Sequence, residues 1–69
     1  MQSKEDPEQL RGRLAELAVE HRDLDEAIAR TAATPPADQL LLRRLKKRKL
    51  LLKDRIAAIE RMLEPDVPA

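Results

Sequence analysis

The sequence predicts an all-α fold, an antiparallel two-helix hairpin of coiled-coil character that self-associates into a four-helix bundle. Three observations predict it. Apolar residues recur at alternating gaps of three and four in two separate stretches, the spacing of a helix face packed on another helix. Between those stretches lies Thr34-Pro35-Pro36-Ala37, which no helix interior tolerates. Finally, 39% of the residues are charged and none is aromatic or cysteine, a composition of long amphipathic helices rather than of sheets.

Residues 1–5 are expected to be disordered, and the hairpin to occupy 6–64. The first helix is expected over about 7–32. Asp6-Pro7-Glu8-Gln9 opens it, because Asp6 can accept from the first free backbone N–H groups and Pro7 lacks only a donor that has no use there. Gln9 stands three residues after Asp6, as a capping box requires. The seam then reads Leu10, Leu14, Leu17, His21, Leu24, Ile28 and Thr31. Gly12 interrupts the good helix formers at a cost of about 1 kcal/mol relative to alanine.

The loop spans about 33–37. A proline pushes the residue before it out of the α region, so Thr34-Pro35-Pro36 must turn or extend. Asp38 is the expected N-cap of the second helix (about 38–64), with Thr34 as the rival if the prolines lie in its first turn. The second seam reads Leu42, Leu45, Lys49, Leu52, Ile56, Ile59 and Leu63, and Pro65 and Pro68 stop it. Residues 65–69 are expected to be disordered.

So short a connection makes the helices antiparallel neighbours. Laying seam on seam pairs Ile28 with Leu42, Leu24 with Leu45, His21 with Lys49, Leu17 with Leu52, Leu14 with Ile56 and Leu10 with Ile59. The loop fixes this register, and it sets the two polar seam residues opposite each other. It also predicts Asp25 facing Lys46, Glu20 facing Arg48 and Arg11 facing Glu60, with Arg13 against Arg55 as the one unfavourable match.

His21 and Lys49 therefore form a polar layer. One polar layer in an apolar seam fixes register and partner number at some cost in stability. The Lys49 stem can lie along Leu45 and Leu52 while its ammonium reaches Asp25 or water. The sharper reading is a pH-sensitive layer, since a protonated His21 would be repelled by Lys49.

Leu40, Leu41, Leu50 and Leu51 lie outside the seam and widen the apolar surface of the second helix. Such patches mark interfaces, and a chain of 69 residues has a core small enough to need one. These four leucines are the expected association face of a homodimer. An additional protein partner of unidentified kind is compatible with the same surface.

Charge is uneven. Residues 1–38 hold nine acids and five bases, whereas 39–69 hold nine bases and four acids. Seven of those nine bases fall within Arg43–Asp54, and Arg43, Arg44 and Lys47 lie furthest from the first helix. They are the candidate contacts for a polyanion. Without aromatic side chains to stack on bases, nucleic-acid binding would be weak and strongly salt-dependent.

Catalytic readings fail on inventory. His21 is the single histidine, cysteine is absent, and no glycine-rich phosphate loop occurs, so no catalytic, cofactor or metal site is expected. The apolar runs are too short to span a bilayer. The polar, acidic start MQSKEDPEQ lacks the apolar core of a signal peptide, and a cytoplasmic protein is expected.

The segments His21-Arg22-Asp23-Leu24-Asp25 and Leu45-Lys46-Lys47-Arg48-Lys49-Leu50-Leu51-Leu52-Lys53-Asp54 resemble the small YdcH-like bacterial proteins. The resemblance covers about residues 10–63 and implies a cytoplasmic helical hairpin from a bacterium. It implies no activity, because that family is one of unknown function.

Overall fold

The computed structural model describes residues 6–64 and shows two helices, α1 (Pro7–Ala33) and α2 (Gln39–Leu63), packed against each other as a hairpin. The segments expected to be disordered, 1–5 and 65–69, lie outside the described residues.

Each helix end follows from its local sequence. Asp6 is extended, and its Oδ1 accepts from the Glu8 N–H at 3.4 Å while Pro7 occupies the first turn. The cap is thus made to Glu8 rather than through a reciprocal Gln9 bond. At the other end Thr34 is extended, as a residue before proline must be. Its hydroxyl donates to the Arg30 carbonyl at 2.9 Å, satisfying one of the orphan acceptors of the last turn. Thr34 therefore closes α1 and does not open α2. Asp38 opens α2, with its Oδ1 accepting from the Leu41 N–H at 3.0 Å. At its far end, the Glu64 N–H bonds the Glu60 carbonyl at 3.0 Å.

Both seams face inward. Every seam position from Leu10 to Thr31 and from Leu42 to Leu63 is buried or half-buried. Leu10, Leu17, Leu52 and Ile59 form the centre of the core, with Leu14, Leu24, Ile56 and Leu63 packed on it. That cluster lies mostly on the side of His21 and Lys49 away from the loop. Nearer the loop, Leu42 is the buried contact. The hairpin is thus best packed at the end where its chain termini emerge.

Gly12 has no packing reason to be glycine, since a methyl group there would meet nothing within 4 Å. Gly12→Ala should stabilise the hairpin by about 1 kcal/mol, because alanine loses less backbone entropy in a helix. A thermal melt followed by circular dichroism reads the shift, and an unchanged or lower midpoint would contradict it.

Candidate functional site

The two polar seam residues meet a third. Asp25 sits one turn beyond His21 on α1, and the Lys49 ammonium reaches across from α2 to its Oδ1 at 2.5 Å. His21 Nδ1 stands 3.8 Å from the other oxygen of the same carboxylate. The layer is therefore a triad with one acid between two nitrogen groups. The hydrogen bond from Lys49, then the charges of Lys49, His21 and Lys53, hold the Asp25 carboxyl below its ordinary value despite some desolvation. On the far side of the imidazole, His21 Nε2 is buried with no hydrogen-bond partner. An unpaired buried polar atom costs about 1–3 kcal/mol, so this side of the layer works against stability.

This arrangement revises the expected pairings. Asp25 pairs with Lys49, as the reach of the lysine stem allowed, and not with Lys46. Among the described residues, the other ion pair within 4 Å is Arg13 with Glu16 at 3.5 Å, both on α1. Arg11 and Glu60 are not joined within 4 Å, nor are Glu20 and Arg48. Exposed pairs gain little over hydration, so matching levels do not by themselves bring long side chains together. The carboxylate beside His21 also supplies a counter-charge that the expected His21–Lys49 repulsion lacked.

The four leucines of the expected association face are all exposed, Leu50 at 63%, Leu51 at 60%, Leu40 at 58% and Leu41 at 40%. They do not share one direction. At about 100° per residue, Leu51 points toward one flank of the hairpin and Leu50 toward the other. Arg43, Arg44 and Lys47 are exposed as well, and among the described residues none of them has an ion-pair partner within 4 Å.

One feature of the surface was missed in the sequence. A furrow runs along one flank of the hairpin as three overlapping grooves. The first is bounded by Gln9, Arg13, Arg55, Ala58 and Met62. Arg13 and Arg55 continue into the next, which adds Glu20, Arg48 and Leu51. Glu20 and Arg48 then lead into the last, which reaches Asp23, Ala27 and Arg30. Its floor is the edge of the seam at Leu10, Leu17, Leu24, Leu52 and Ile59. The available signal was a second seven-residue row beside each seam, Arg13, Glu20 and Ala27 on α1 with Leu41, Arg48, Arg55 and Met62 on α2. The mismatch of Arg13 with Arg55 lies in this furrow.

Among the described residues, no group of three or more His, Asp or Glu could hold a metal ion. No helix among them is long and apolar enough to cross a membrane.

Neither the curated proteins nor the solved structures include a match to the chain. A family model described as "Protein of unknown function (DUF465)" matches residues 14–60. That span is well over half of the chain and takes in the polar layer, the loop and most of both seams. YdcH-like proteins are members of the same family. The chain, a helical hairpin, belongs to DUF465, a family of proteins whose function is unknown.

Proposed function

We propose that this protein is a non-enzymatic interaction module, a small cytoplasmic hairpin that works as a homodimer and presents its outer helix surfaces to a protein partner. The observation that carries this reading is the exposure of four leucines on α2 in a chain with only five buried apolar residues among those described. Covering an exposed leucine is worth roughly 1.5–3 kcal/mol. A hairpin with so small a core gains much by association. Two hairpins that turn apolar surface toward each other close into a four-helix bundle.

A variant with Leu40, Leu41, Leu50 and Leu51 all changed to lysine tests the reading. These positions are exposed, so helicity should persist, while the dissociation constant measured by sedimentation should rise by at least about a hundredfold. Association as tight as that of the natural chain would contradict the leucine face.

Polyanion contact is the second reading, favoured by the exposed and unpaired Arg43, Arg44 and Lys47. Being electrostatic, it would fall steeply with added salt.

A further inference from the structure

We propose that the furrow seats a second copy of this chain about a two-fold axis running along the hairpin, with α1 of each copy antiparallel to α2 of the other. This rests on the self-association just proposed and assigns its geometry.

The furrow is suited to an interface. Its floor is apolar, and Leu51, Ala58 and Met62 stand on its α2 wall. The cations lining it are all arginines, Arg13, Arg30, Arg48 and Arg55. The lysines of α2 at 46, 47, 49 and 53 line none of its three grooves. Arginine carries a more weakly hydrated charge with a fixed hydrogen-bonding fork, and interfaces favour it over lysine.

Charge identifies the occupant. On this flank α1 carries Glu16, Glu20 and Asp23 in a row between Arg13 and Arg30, whereas α2 carries Arg44, Arg48 and Arg55 and no acid. Each row follows helical spacing of three, four or seven, so it stays on one side of its helix. A two-fold axis along the hairpin keeps every layer at its own level. Glu16 then meets Arg55 of the second copy, Glu20 meets Arg48, and Asp23 lies between Arg48 and Arg44. Glu16, already on Arg13, would bridge Arg13 to that Arg55 and offset the mismatch within each hairpin. The alternative two-fold axis, across the hairpin, stacks α2 on α2 and arginine on arginine. Like charges brought together across an interface cost several kcal/mol, so the rows select the first arrangement. Leu41 and Leu51 lie on the covered flank, and Leu40 and Leu50 stay outside.

The test exploits the fact that Glu20 and Arg48 border the same groove within one hairpin. Glu20→Arg makes both positions positive, and Arg48→Glu makes both negative. Each variant alone should retain its helicity and dimerise about tenfold more weakly by sedimentation. Mixed in equal amounts, they should form a heterodimer near the natural affinity, because complementarity is restored between copies although not within either. Glu26→Arg mixed with Lys47→Glu, the same charge changes on outward faces, should show no such recovery. If the natural chain dimerises but the first mixture gains nothing, or the control gains as much, the furrow geometry is overturned and self-association stands. If the natural chain is monomeric at every concentration, self-association itself falls.

Discussion

Leu17→Ala should leave the chain largely unfolded at 37 °C. Leu17 is only 3% exposed, the most completely buried residue of the core, and it belongs to the cluster of Leu10, Leu52 and Ile59. Truncating a buried leucine costs about 2–5 kcal/mol, from lost burial plus the cavity that remains. A chain of this size has a total stability of roughly 3–10 kcal/mol. The neighbours cannot refill the space easily. Within one hairpin two helices meet along a single seam, so few side chains stand beside Leu17 to move inward. Circular dichroism should show a large loss of helical signal and a midpoint many degrees lower. Leu51→Ala, at an exposed position on α2, is the comparison and should leave the hairpin helical. A Leu17→Ala melt that overlays the natural one would mean that the seam assignment is wrong.

The second large effect has the opposite sign. Changing His21 and Lys49 together to leucine should stabilise the hairpin by about 2–4 kcal/mol. The change removes the unpaired Nε2, whose burial costs about 1–3 kcal/mol, and completes both apolar stripes. Against this stands the loss of the Lys49–Asp25 pair, an exposed contact whose contribution is small beside those gains. The acid response should change too. Asp25 is held below its ordinary value in the fold, so its contribution is fully present above the unfolded carboxylate range near pH 4. It is then lost as pH falls through the lower, folded value. The doubly substituted chain has no Lys49 to lower that value, so this part of its acid destabilisation should vanish. Specificity should suffer in exchange, because an all-apolar seam accepts shifted registers and other partner numbers. Melts between pH 2 and 7, with mass distributions from sedimentation, read all three effects. A less stable variant, or one with the same acid profile, would contradict the role given to the triad.

Much of the fold was legible because the heptad is a rigid code. Gaps of three and four fixed which faces meet, so every seam residue turns inward. The caps at Asp6 and Asp38 were legible for a similar reason, since a carboxylate before a run of helix formers has few other uses. Asp25 shows where that legibility stops. Register left Asp25 two cations, Lys46 level with it and Lys49 through its long stem, and only the structure shows that Lys49 holds the carboxylate. The furrow was hidden for another reason. Its depth depends on which flank carries small residues such as Ala27 and Ala58 beside the seam, and a wheel of positions gives directions without side-chain volumes. The biological role is the least legible of all. Exposed leucines and arginines are residue types compatible with an interface, and they name no partner.

The two substitutions probe the hairpin, and association is the step from hairpin to function. The most direct measurement is the molar mass of the unmodified chain across a wide concentration series at moderate salt. The account predicts a rise from 7.9 kDa to twice that value and no further, because a two-fold closed bundle leaves no face for a third copy. A mass that stays at 7.9 kDa at the highest concentration, or one that climbs without limit, would contradict it.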